Sequence, residues 1–175
     1  MIKVRDRLQL GMMAGLAGVV AKDLVGGFMT RSGLSKGAGP QRAAGMLLPA
    51  YKTHTPLGQA AGWLADATVG SLLGIATVYT LTFTGRDRAF LKGLTTGALA
   101  WVGLYGVLSN MGATDVRNVQ PKTVLRELLG HLVYGVVTAS TAVALGDEDL
   151  FSGGIPWSAS SLRVEEVPLA PLRRR

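Results

Sequence analysis

Residues 57–83 read LGQAAGWLADATVGSLLGIATVYTLTF, and Asp66 is the only charged side chain among them. A hydrocarbon core of about 30 Å is crossed by about 20 apolar residues in a helix. Backbone N–H and C=O groups in lipid must be satisfied within the segment. The stretch therefore predicts a membrane-spanning helix, although TVYTLTFT at 77–84 would suggest a strand in water. THTP at 53–56 supplies the helix-start signal, a hydroxyl residue followed by Pro.

Three further apolar segments flank this one, at about 8–29, 90–111 and 122–145, the last being most apolar from Leu128 onward. The first follows a basic start, MIKVRDR, but is longer than the ~7–15 apolar residues of a signal peptide. It reads as a retained span. The expected fold is all-α: an integral membrane bundle of four transmembrane helices over residues 1–145. A flexible polar tail is expected over 146–175, GDEDLFSGGIPWSASSLRVEEVPLAPLRRR. The tight loop TGRDRA at 84–89 predicts that the second and third helices are antiparallel neighbours. The long loop 30–56 holds an apolar patch, AAGMLLPAY at 43–51, suited to the interface or to dipping back toward the bundle.

Composition agrees with a membrane chain. Charged residues are 17% against roughly 25% in soluble domains, mean hydropathy is +0.31, and there are 24 glycines. There is no Cys, hence no disulfide and no thiolate metal site. The net charge of +7 falls in short clusters between apolar runs, which argues for membrane topology and against nucleic acid as a partner. Lys3, Arg5, Arg7, Arg86, Arg88, Lys92 and the arginines of the tail lie on one side, so both termini are expected in the cytoplasm.

Glycines recur at helical spacing. Gly62, Asp66, Gly70 and Gly74 share one face of the second helix, and small faces let membrane helices pack closely. Gly11 and Gly15 in the first helix are echoed by Gly93 and Gly97 in the third. Asp66 and Gly70 in the second are echoed by His131 and Gly135 in the fourth. The echo reads as two helix pairs in a parallel repeat, or as coincidence in a glycine-rich chain. These faces also suggest association with a second copy or with other membrane subunits in the bilayer.

Lys22, Asp23, Asp66, Glu127 and His131 are ionisable residues inside apolar segments, each costing about 2.5–3.5 kcal/mol at the bilayer centre. At 1.5 Å per residue they reach similar depth in the outer half of the membrane. Two readings are open. In one they are polar glue between helices; in the other they are a working site that relays protons or binds a cation. Glu127 and His131 at i, i+4 with Asp66 make a metal site conceivable, but a second helical His is missing, and no metal or cofactor is expected. No phosphate loop, G-x-S-x-G elbow or Cys nucleophile occurs, so no enzyme is expected.

FTGRDRAFLKGLTTGALAW at 83–101 and LLGHLVYGVV at 128–137 resemble uncharacterised small multi-pass membrane proteins of Firmicutes and related bacteria, of the YqhR-like or YagU-like kind. The resemblance spans about residues 8–145 and implies a four-helix protein of the bacterial inner membrane, with no activity attached. The expected role is a non-enzymatic structural or complex-forming component. The alternatives are a small proton- or cation-handling transporter or channel, and an anchor that holds a cytoplasmic partner through the tail.

Overall fold

The computed structural model describes residues 3–33, 43–108 and 121–152. Among them all regular structure is helical. Helix α1 spans Arg7–Arg31, α2 Pro56–Thr84, α3 Ala89–Trp101 and α4 Pro121–Leu145. Three helical segments, Arg7–Arg31, Pro56–Thr84 and Val124–Leu145, are long and apolar enough to cross a membrane.

Local chemistry explains the helix ends. Asp6 caps α1, accepting from the Gln9 N–H at 2.7 Å. Thr55 caps α2, accepting from the Gly58 N–H at 3.1 Å, and Pro56 stands where a missing N–H costs nothing. Gly85, at φ +82°, ends α2. The Lys92 ammonium then donates to the Thr84 and Gly85 carbonyls at 3.0 and 2.8 Å, capping the groups that α2 leaves unpaired. The strand-like TVYTLTFT is helical, and its hydroxyls turn back on the helix. Thr77, Thr80, Thr82 and Thr84 each donate to the carbonyl four residues back, at 2.7–3.0 Å.

The helices lie in the order α2–α1–α4–α3, with each neighbour antiparallel to the next. Although α2 and α3 are joined by a short loop, they pack little against each other. The loop length correctly makes them antiparallel, but the glycines decide the packing. A Cβ on Gly15 would strike the Gly70 carbonyl, and one on Gly74 would strike Gly11 and Gly15. On the other side a Cβ on Gly97 would strike the His131 carbonyl, and one on Gly93 the Gly135 carbonyl. The glycine faces of α2 and α3 are therefore spent on α1 and α4, within the chain, and these faces are not free for a second copy. Gly62 is buried on the same side of α2.

Contacts place the two pairs one turn out of the register that the sequence echo suggests. Gly135 sits between Gly93 and Gly97 as Gly74, not Gly70, sits between Gly11 and Gly15. In that register Asp66 corresponds to Glu127, acid to acid.

Helix α3 was expected to run to residue 111. Its α geometry ends at Trp101 and widens to a π-helix over Val102–Leu108. Residues 109–111 lie outside the described residues. The patch at 43–51 folds back in part, for Ala44 is fully buried while Leu47 and Tyr51 stay exposed.

The tail also begins later than expected. Val4 N–H donates to the Leu145 carbonyl at 2.9 Å, and Asp147 N–H donates to the Val4 carbonyl at 3.0 Å. A short 3-10 turn, Glu148–Phe151, then buries Leu150 and Phe151 against Leu10, Val78, Leu81 and Ala142. These two apolar side chains seal one end of the bundle, and acidic neighbours hide them in the sequence. The remainder of the expected tail, 153–175, lies outside the described residues. Around the seal, Arg5 pairs with Asp147 at 3.1 Å and Arg86 with Glu148 at 2.6 Å. Lys3 donates to the Ala144 carbonyl at 2.7 Å.

Two outcomes follow. Gly15→Ala forces a side chain into the Gly70 carbonyl and lowers stability by about 1–3 kcal/mol. Gly27→Ala, which meets no atom within 4 Å, leaves the melting temperature in lipid or detergent unchanged or raises it. At the sealed end, the Asp149 N–H and the Arg5 guanidinium hold the Asp147 carboxyl below its usual range. Its contribution is complete above the ordinary value of about 3.9 and is lost as pH falls through the lower native value. Melting followed from pH 6 to pH 2 shows this acid step, and Asp147→Asn removes it.

Candidate functional site

The close contact of α1 with α2 sets the site. With Gly15 on Gly70, antiparallel helices bring Lys22 of α1 level with Asp66 of α2. The Lys22 ammonium donates to Asp66 Oδ2 at 2.6 Å. Its second acidic neighbour is Asp23 Oδ1 on its own helix, at 3.4 Å. The three side chains are only 14%, 18% and 12% exposed, in the order Lys22, Asp66, Asp23. The aliphatic stem of Lys22 lies against α4, its Cγ 3.4 Å from the place a Cβ on Gly130 would take. Both Asp23 oxygens are buried and accept no hydrogen bond.

His131 joins from α4. Its Nδ1 lies 2.8 Å from the Glu127 carbonyl one turn back. A carbonyl only accepts, so the proton stands on Nδ1. Its ring meets Tyr105 edge-on at 6.4 Å, and Tyr105 stacks on Trp101 at 5.8 Å. The Trp101 indole N–H donates to the Val124 carbonyl at 3.2 Å, tying α3 to α4. His131 lies within electrostatic reach of Lys22, Asp66 and Glu127. Asp23 lies within reach of Asp66 and Glu127. The five ionisable residues thus form one neighbourhood, and Lys22–Asp66 is a direct ion pair between helices within it. Among the described residues no group of three or more His, Asp or Glu side chains is arranged to hold a metal ion.

Periodicity passed over Tyr134. Its hydroxyl donates to the Gly70 carbonyl at 2.7 Å, so α4 reaches past α1 to α2. Gly18 makes the passage, since a Cβ there would enter Thr138 and Tyr134. The sequence signal was present: Tyr134 follows His131 by three residues on one helical face, but the matching gap lies on another helix.

No family model, curated protein or solved structure matches the chain.

Tyr134→Phe removes the hydrogen bond and keeps the ring. In a membrane bundle such bonds contribute about 0.6 kcal/mol and at most about 1.7. Gly18→Ala is the more damaging change, because it fills the passage itself. Thermal unfolding of the two variants in the same lipid checks the order, and a larger loss from Tyr134→Phe would contradict it.

Proposed function

We propose that the chain is a four-span membrane protein that acts as a non-enzymatic structural or complex-forming component, with its buried ionisable residues locking helices together. The observation that carries this reading is how the polar groups are used. The Lys22 ammonium of α1 donates to the Asp66 carboxylate of α2 at 2.6 Å. An ion pair between two helices in lipid holds them in register without any substrate.

The fourth span is Ala89–Trp101 with its π continuation Val102–Leu108, just under ~30 Å at the helical rise. Four spans return both termini to one side. Lys3, Arg5, Arg7, Arg86, Arg88 and Lys92 gather there, which favours the cytoplasm. The resemblance to small multi-pass proteins of Firmicutes favours a bacterial inner membrane. The correspondence of Asp66 with Glu127 favours two helix pairs related by a parallel repeat. Association with a second copy or other subunits would use faces outside the spent glycines.

A second reading, proton or cation handling, draws on the Asp23 oxygens that accept no hydrogen bond. Flux through reconstituted liposomes separates the two. The lock predicts proton and cation leak no greater than in empty vesicles, for wild type and Asp66→Asn alike. A wild-type flux abolished by Asp66→Asn, with both proteins folded, would replace the lock by a transport pathway.

A further inference from the structure

The cation of the lock lies between two carboxylates. Toward the sealed end, α1 is held by backbone contact: Gly11 on Ile75, Gly15 on Gly70, Gly18 on Tyr134 and Thr138. Beyond Val19 α1 buries no whole residue, and the side chains of Lys22 and Asp23, 14% and 12% exposed, are those of the lock itself. Gly26 and Gly27 face no atom within 4 Å, and Leu24 and Phe28 are 70% and 71% exposed. Lys22–Asp66 is the outermost ion pair between α1 and α2 among the described residues.

The ammonium lies 2.6 Å from one carboxylate and 3.4 Å from another. Asp66 belongs to α2, whereas Asp23 belongs to α1 itself. Asp23 already stands at ion-pair distance, and its buried oxygens accept no hydrogen bond, so it can hold the ammonium once Asp66 lets go. The four-carbon stem is flexible, and Gly130 beside it presents no side chain to block a swing. We propose that Lys22 is a two-position latch. On Asp66 it ties the outer third of α1 to α2. On Asp23 it stays paired in the apolar interior and lets that outer third move away from α2. Release exchanges one carboxylate without the ammonium, Asp23, for another, Asp66; without Asp23 it would also leave a lone ammonium in lipid, which the bilayer strongly disfavours. The latch rests on the lock reading above, and a rigid Lys22–Asp66 pair would remove the latch while leaving the lock intact.

The described chain has no cysteine, so Phe28→Cys and Leu57→Cys give unique spin-label sites on exposed positions of α1 and α2. Full-length protein in lipid nanodiscs is examined by pulsed dipolar spectroscopy and thermal unfolding. The latch predicts a narrow distance distribution in the labelled parent and in Asp23→Asn. It predicts a longer, broader distribution in Asp66→Asn, which remains folded because Asp23 holds the ammonium. The double variant Asp23→Asn/Asp66→Asn melts roughly 3 °C or more below the sum of the single shifts, or fails to fold. An Asp66→Asn distribution that superimposes on the parent, an Asp66→Asn variant that does not fold, or additive shifts would each overturn the latch.

Discussion

Every other feature of this bundle depends on two helix backbones touching. Lipid tails are as apolar as leucine, so helices in a bilayer gain little from burying side chains on each other and must pack closely instead. Here Gly11 and Gly15 of α1 pack directly on Gly70 and Gly74 of α2. Antiparallel helices locked at that point have no freedom over what faces what further along. One and two turns on, Lys22 faces Asp66. The ion pair is a consequence of the glycines before it is a source of stability.

α1 then serves as the central element. Its glycines meet α2 on one side, and Gly18 opens the other side to Tyr134 of α4. The Tyr134 hydroxyl crosses to the Gly70 carbonyl, the same residue on which Gly15 rests. Three helices therefore meet at one level. α3 hangs on α4 by the equivalent glycine contact and by the Trp101 indole. The two ends of the bundle differ in kind. One is sealed by Leu150 and Phe151 under the Val4–Gly146 bridge. Toward the other, α1 buries no whole residue after Val19. The ionic cluster lies between the tightly held region and this looser end.

Much of this was legible in the sequence. Segment 57–83 against Pro56–Thr84 and 8–29 against Arg7–Arg31 agree within a few residues, because Asp6, Thr55 and Pro56 mark the starts chemically. What periodicity does not carry is which helix a face meets. The order α2–α1–α4–α3, the reach of Tyr134 and the one-turn offset between the pairs all depend on gaps on partner helices. The π turn at Val102–Leu108 left no signal in an evenly apolar run. Leu150 and Phe151 escaped because GDEDLFSGG averages to a polar linker, although two side chains suffice to plug a narrow bundle end.

The most direct test of this account is a charge exchange between α1 and α2. Lys22→Asp and Asp66→Lys are made singly and together, and folded protein recovered from membranes is measured. Each single change sets like charges opposite one another at a point the glycines do not allow to shift, so folded protein falls sharply. The exchanged pair restores opposite charges at the same place, and recovery toward the wild-type level is the predicted result. A double variant no better than either single would contradict the claim that glycine contact sets these two side chains face to face.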